Sequence, residues 1–290
     1  MAVFISVFLI SYLLHGLCVT VGYHRLMAHR SFRCVKAVEY LLVLGGYLAF
    51  QGSPVWWATI HRLHHKTADT ERDPHSPKRG WIHAYMGWTL EDYNFPVEKI
   101  CSDLVRDPVY ALLDKIDVLA IPINLLARLI LLCIFGWKVA LANLLAGVCV
   151  FQIPMILNLF CHLPKFGYKN FPSSDNAVNV WWVAMLALGE GWHNNHHVYP
   201  GSARMGLRKS ELDFSWGTIK LLARLGLASH VNEATLQRRA ANSAVLSAQR
   251  RAANSAALPA QRRAVNTGSL PAQRRAASAA ARPVPRADAS

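Results

Sequence analysis

The sequence lacks the cysteine patterns of soluble metal and redox proteins. Its six cysteines are scattered and no C-x-x-C pair occurs, which excludes a zinc knuckle and an iron–sulfur cluster. The sequence also carries no heme module and no flavin-binding fingerprint. The cysteines are interpreted as small apolar packing residues. Any redox chemistry would therefore need an electron donor on a separate protein.

Charge is scarce and unevenly placed. Charged residues make up 17% of the chain and hydrophobic residues 53%. Ten Arg and one Asp lie from Gln237 onward, so this tail carries +9 of the +14 net charge. Outside the tail no basic face with interleaved aromatic residues appears, which excludes nucleic-acid binding.

Long uncharged runs predict an all-α membrane protein, a transmembrane helix bundle. The predicted membrane domain covers 1–230, with spans at about 2–22, 117–135 and 139–160. A further uncharged segment, 38–57, is interrupted by glycines and Pro54. The polar residues between 66 and 115 predict a lobe of short helices and loops outside the membrane.

Eight histidines form three tight clusters. His61, His64 and His65 are spaced i, i+3 and i+4, and His193, His196 and His197 repeat that spacing. On a helix such residues share one face, so their imidazoles can converge. His24 and His29 are five apart, which is awkward on a regular helix, so one of them is expected to leave a frayed helix end.

Two metal ions are the economical interpretation, because eight imidazoles exceed the needs of one ion. All-nitrogen ligation leaves iron, copper, zinc and nickel open, and redox chemistry with dioxygen is favoured over hydrolysis. A non-catalytic metal-binding or transport protein is the alternative from another class. Arg128 is the only charge well inside a predicted span, whereas a transport path needs several polar groups.

The metal centre constrains the topology, because ligands on opposite membrane faces cannot reach one pair of ions. One apolar segment must therefore not span, and 38–57 is predicted to be interfacial or re-entrant. Basic residues lie beside the clusters, namely Arg25, Arg30, Arg33, Lys36, Arg62 and Lys66. The positive-inside rule makes that face cytoplasmic, so the centre is expected under a helical cytosolic cap.

The clusters resemble those of the membrane fatty acyl desaturases of the delta-9 type. The resemblance rests on their order, on Gly189-Glu-Gly-Trp-His-Asn-Asn-His-His197 and on His64-His-Lys66, and it runs from about Gly16 to Leu227. It implies a di-iron centre and a reaction in which O2 and external electrons insert a cis double bond into a saturated acyl chain. A di-iron hydroxylase of the same superfamily is the alternative.

The resemblance also assigns further site residues. In Asn158-Leu-Phe-Cys-His162, it makes His162 a direct ligand and lets Asn158 hold a metal-bound water. Gln51 and Trp57 match family positions near the kink of the acyl tunnel. Asp69, Asp73 and Glu190 are candidates, by their proximity in the sequence, to orient the imidazoles. The implied electron donor is of the ferredoxin or cytochrome b5 type.

Some positions depart from the family pattern. The family usually has four spanning helices, and this chain begins where the second would. Acyl-CoA enzymes carry an Arg-Asp pair where Thr59 and Ile60 stand, and an Arg-Lys pair where Glu91 and Asp92 follow Leu90. Carboxylates there would repel CoA phosphates. The expected substrate is therefore an acyl lipid, or an acyl thioester other than CoA.

The tail, 231–290, is a tandem repeat. Gln-Arg-Arg-Ala recurs every twelve residues at Gln237, Gln249, Gln261 and Gln273. The Ala/Arg-rich units contain too few large apolar residues to form a core, which predicts disorder. A weak electrostatic contact with anionic lipid headgroups is the alternative.

Overall fold

The chain is mostly helical, as its sequence predicts. A computed structural model describes residues 1–234, and the repeats from Gln237 onward lie outside the described residues. The α-helices in chain order are α1 (Ala2–Leu17), α2 (Lys36–Gly46), α3 (Pro54–Thr67), α4 (Trp81–Tyr85), α5 (Val97–Ile100), α6 (Pro108–Lys115), α7 (Ala120–Phe135), α8 (Trp137–Phe160), α9 (Trp181–Leu186), α10 (His193–Val198) and α11 (Phe214–Arg224). The π-helical segments Cys18–Ala28 and Tyr47–Gln51 continue α1 and α2, and 3₁₀ turns cover Pro77–Arg79, Gly87–Leu90, Asp117–Leu119 and Pro164–Phe166.

The first and last parts of the described chain meet in a small sheet. Strands β1 (Arg33–Cys34) and β2 (Ala228–Ser229) pair antiparallel. The body extends past the predicted boundary at residue 230, because the backbone N–H of Asn232 donates to the Ser31 carbonyl (2.9 Å) and the Asn232 carbonyl accepts from Ala203 (2.7 Å).

Within residues 1–234, three helical stretches are long and apolar enough to cross a membrane, and the chain is a membrane protein. They are Ala2–Ala28, Asp117–Phe135 and Trp137–Phe160. The first continues six residues beyond the predicted end at 22. Gly136, with φ of 80°, supplies the turn between α7 and α8 that a residue with a Cβ would resist. The helices α1 and α8 lie side by side, where Asn143 donates to Ser11 (3.0 Å).

The segment predicted to be interfacial or re-entrant is a broken helical hairpin. The helix α2 runs antiparallel to the first span, since a Cβ on Gly22 would meet Leu42 and one on Gly45 would meet Cys18. The π-helical continuation ends where Phe50 adopts a left-handed φ of 61°, and α3 then begins at Pro54. We call residues 45–53 the hairpin tip. In this arrangement α2 enters the bundle and α3 returns to the same end.

Side chains from the surrounding helices satisfy the carbonyls of the hairpin tip. The bonds run from His15 to Gly45, from Asn124 to Tyr47, from Arg128 to Leu48, from Gln51 to Ala49 and from Tyr23 to Gly52, with lengths from 2.6 to 3.3 Å. Carbonyls in a bilayer have no water to bind, so a broken helix there requires such donors. Three polar residues inside the predicted spans, His15, Asn124 and Arg128, thus have a structural role.

Arg128 provides the shortest of these bonds. Its guanidinium donates to the Leu48 carbonyl at 2.6 Å and lies 4.9 Å from the ring centre of Phe50. A Cβ on Gly147 would come within 2.9 Å of the guanidinium and 3.1 Å of the Phe50 ring. Glycine at 147 therefore makes room for the pair, and Arg128 ties α7 to the hairpin tip.

We predict that Arg128→Met lowers the free energy of unfolding by about 1–3 kcal/mol, because the Leu48 carbonyl loses its donor in an environment without water. The thermal unfolding midpoint in detergent measures the effect. The matched control is Leu129→Met, at a neighbouring position that is 52% exposed and faces lipid. Equal midpoints for the two variants would contradict the assigned role.

Candidate metal centre

The helix α3 carries three of the histidines on one face. It begins at Ser53, whose side chain accepts the backbone N–H of Trp56 (3.1 Å), with Pro54 in its first turn. Both features favour helix initiation there. The Arg62 guanidinium donates to the Met27 and Ala28 carbonyls, at 2.9 Å each. These bonds hold α3 against the end of the first span, so the first two histidine clusters meet.

The spacing of His24 and His29 is explained by a π-helix. The segment Cys18–Ala28 is π-helical, and the backbone N–H of His29 donates to the carbonyl of His24 (3.1 Å). In this geometry, residues five apart stack on one face, and the two rings lie 4.8 Å apart. His29 is the C-cap residue, one position past Ala28, so it leaves the end of the first span as the sequence predicts, and its backbone bond to His24 keeps the two rings together.

The remaining histidines come from α10 and from the end of α8. His193, His196 and His197 lie on α10, and His162 lies two residues beyond Phe160, where α8 ends. The third cluster and His162 thus meet the first two clusters at one end of the bundle. The structure brings together all nine histidines that the sequence and the family resemblance singled out.

The imidazoles form two groups, each with nitrogens within 4.8 Å of one another: His24, His29, His61, His65 and His196, and His64, His162, His193 and His197. Close pairs of Nε2 atoms are 2.7–3.1 Å apart in the first group and 3.0–3.3 Å apart in the second. Nitrogens that bind one ion at about 2.1 Å lie about 3 Å apart when their bonds are perpendicular. The spacing fits one ion in each group.

In four of these rings a carboxylate lies next to Nδ1, the ring nitrogen that points away from the other imidazoles. The Nδ1 atom of His64 lies 2.9 Å from Asp73, that of His197 2.8 Å from Asp175, and that of His162 3.2 Å from Asp69. His24 makes the same contact with Glu190. When Nδ1–H donates to a carboxylate, Nε2 keeps a lone pair.

This arrangement is the strongest evidence for a cation. The Nε2 atoms of His64 and His197 face each other at 3.3 Å. Since each ring donates through Nδ1, there is no proton between these two Nε2 atoms, and their lone pairs would repel. A positive ion between them removes the repulsion, so the donor set fits a metal.

Asp175 was not identified from the sequence. It lies in a loop ahead of α9, 22 residues before His197, and no histidine stands next to it in the chain. The sequence candidates Asp69, Asp73 and Glu190 all contact imidazoles. His75 lies behind His64, where its Nδ1 is 3.7 Å from Asp73. His75 belongs to neither of the two histidine groups, although it forms a third set of possible ligand residues with His64 and Asp73.

Burial favours the neutral form of seven of the nine imidazoles. Burial lowers the pKa of seven imidazoles well below the ordinary value, and neighbouring imidazoles lower it further: His29, His61, His64, His65, His193, His196 and His197. A neutral imidazole is the form that binds a metal.

An apolar cavity of about 440 Å³ opens beside the histidines. It is lined by Val19, Thr20, His24, Trp57, His61, His64, Ile153, Pro154, Leu157, Asn158, Glu190 and His193. A second space, of about 290 Å³, is lined by Trp56, Trp57, Ile60, His61, His75, Trp88, Pro154 and Asn158. Four lining residues are common to both, so we treat the two spaces as one cleft that passes the metal groups.

Gln51 and Trp57, the two residues predicted to lie near the kink of the acyl tunnel, have different positions relative to this cleft. Trp57 lines both spaces. Gln51 lines neither of them; its side-chain oxygen accepts the indole N–H of Trp57 at 3.2 Å. Gln51 therefore acts on the cleft through Trp57. Asn158 lines both spaces, one helical turn before His162.

Comparison with known proteins gives a consistent result. The family model described as fatty acid desaturase matches residues 1–212. The sn-1 stearoyl-lipid 9-desaturase of Anabaena variabilis is 41% identical, covering 76% of this chain and 80% of the relative. That of Synechocystis sp. is 38% identical, covering 77% and 70%. An acyl-CoA 5-desaturase of Anemone leveillei is 36% identical, covering 78% and 72%.

We predict that Asp175→Asn lowers metal affinity about 10- to 100-fold, because the His197 ring loses the charged partner that orients it. Metal content after competition with a chelator measures this. Glu71→Gln is the matched control, since Glu71 is an exposed carboxylate. Equal metal retention in both variants would contradict the assignment.

Proposed function

This chain belongs to the fatty acid desaturase family, and from that premise we propose that it introduces a cis double bond at the delta-9 position of a saturated acyl chain, with an iron ion in each histidine group. The observation that carries the proposal is the convergence of imidazole nitrogens on two points beside an apolar cleft. Family membership favours the enzyme over the non-catalytic metal-binding alternative.

The proposed ligands are the nine histidines of the two groups. When bound, two iron ions would supply the redox chemistry that couples reduction of O2 to water, with two external electrons, to removal of two hydrogens from adjacent methylenes. Asp69, Asp73, Asp175 and Glu190 fix the ring orientations. Asn158 lies one turn before His162 and lines the cleft, which supports its proposed role of holding a water next to the second group.

The cleft positions the acyl chain. Val19, Ile153, Leu157 and Trp57 give it apolar walls, and His61 and His64 lie on the same walls. A methylene chain has no polar group to recognise, so shape must select which C–C bond lies near the histidines. The names of the two stearoyl-lipid 9-desaturases support delta-9 for this chain, whereas the relative that acts on acyl-CoA is named a 5-desaturase.

We propose that the metal centre lies on the cytoplasmic face. The support is the row of cations next to the histidine clusters, from Arg25 to Lys66, under the positive-inside rule. A separate electron donor, of the ferredoxin or cytochrome b5 type, would approach from that side.

We propose that the acyl group is carried by a membrane lipid. Thr59 is buried and its hydroxyl donates to Val55 (2.8 Å), and Ile60 is also buried. Arg79 is already paired with Glu91, at 2.5–3.0 Å. The positions at which CoA enzymes carry cations thus present buried uncharged side chains and a neutral ion pair. A phosphate placed there gains little.

We predict that expression in a desaturase-deficient host yields fatty acid methyl esters lighter by two mass units, with the double bond at position 9 in their dimethyl disulfide adducts. His64→Ala abolishes the product, because it removes a ligand from the second group. The Glu71→Gln variant serves as the active control. Products heavier by one oxygen would instead support the hydroxylase alternative.

The lipid carrier has its own test. We predict that purified protein with a donor protein and O2 desaturates labelled stearoyl phospholipid or glycolipid in vesicles, while labelled stearoyl-CoA reacts only after its acyl group reaches lipid. Samples are taken from both reactions over time. In each sample the free CoA ester is separated from the lipid, and the desaturated product is measured in each fraction. Rapid desaturation of the CoA ester before acyl transfer would contradict the proposal.

A further inference from the structure

Residues 81–90 have an apolar face that no other described residue covers. Ile82, Met86 and Leu90 recur every four residues and point outward, and Trp81 joins them. Trp81 is 68% exposed, Ile82 62% and Leu90 85%. Ala84 and Trp88 lie between them and are buried. We call the four outward residues the apolar stripe.

The position of this segment places the stripe beside the membrane. The hydroxyl of Tyr85 donates to Gln152 on α8 at 2.6 Å. Trp88 packs in one cluster with Met155 and Phe151 of the same helix. Gln152 lies eight residues before Phe160, which is about 12 Å below the end of the helix. The segment therefore lies alongside the membrane-spanning part of α8.

Lipid is the partner that this location and chemistry fit. The stripe lies on a segment that packs against the membrane-spanning helix α8, and four large apolar side chains exposed to water would be unfavourable. Its rim is polar: Lys78 and Arg79 precede it, and Glu91 follows it. An apolar face with a charged rim beside a spanning helix is typical of a segment that lies in the membrane interface.

The inner side of the same segment forms a wall of the cleft. Trp88 stacks on Trp56 of α3, with ring centres 5.7 Å apart and planes at 5°. Both residues line the smaller space of the cleft, next to His61 and Asn158. One short segment thus touches the bilayer with its outer face and the acyl cleft with its inner face.

We propose that residues 81–90 insert into the membrane interface and form the entrance through which an acyl chain of a bilayer lipid passes sideways into the cleft. This inference rests on the proposed desaturase function and specifies how its substrate arrives. The stripe holds the entrance at the depth of the lipid acyl chains, so the substrate does not have to leave the bilayer. Soluble carriers would gain nothing from such a surface.

The kinetic test compares two triple variants. The polar variant Ile82→Gln, Met86→Gln, Leu90→Gln removes the apolar stripe, and the control Ile82→Val, Met86→Leu, Leu90→Met retains it. For acyl lipid in vesicles we expect the polar variant to raise KM at least about tenfold, with kcat and metal content unchanged. The control keeps the KM of the unmodified chain. Equal KM values for both variants would overturn the proposal.

A second measurement does not depend on activity. Tryptophan fluorescence of the full chain in vesicles is quenched by phosphatidylcholine with a spin label at carbon 5, and the spectrum is compared with that of Trp81→Phe. The fluorescence that is lost in the Trp81→Phe variant is that of Trp81. We expect this part of the fluorescence to be quenched by the spin-labelled lipid. An unquenched Trp81 overturns the proposal. If the chain makes no desaturated product but Trp81 is quenched, the proposed function has failed and the membrane contact stands.

Discussion

The convergence of nine imidazoles on two points is the constraint on which the rest of the structure depends. Their Nε2 atoms face one another at 2.7–3.3 Å, while carboxylates hold the opposite nitrogens of four rings. Such an arrangement is unfavourable without cations, because neutral imidazoles in a buried site repel through their lone pairs. The histidines come from the first span, α3, α10 and the end of α8, so all of these must end at the same side of the bundle.

That requirement explains the broken hairpin of α2 and α3. A second complete crossing between the first two histidine clusters would place them on opposite faces. The chain instead turns at the hairpin tip, and the broken backbone needs donors that a bilayer does not supply. His15, Asn124 and Arg128 provide them. Polar residues inside the spans are thus a consequence of the metal centre, although none of these three belongs to it.

The cleft connects the metal groups to the membrane. Trp57 and Asn158 line both of its spaces, and Gln51 reaches it only through Trp57. Its walls are apolar where an acyl chain would lie. At the smaller space the wall includes Trp88, on the segment whose opposite face carries the apolar stripe.

The sequence by itself determined the helical membrane fold, and it predicted the non-spanning segment and the three histidine clusters that the structure brings together. Uncharged runs predict spanning helices, because a charged side chain is energetically costly in lipid. The i, i+3, i+4 spacing of His61, His64 and His65 places them on one helix face. Only the tertiary structure decided how the histidines divide into two groups and that Asp175 orients His197. The physical reason is the same in each case. These features depend on contacts between residues far apart in the chain, and local spacing carries no record of which distant side chain packs beside it.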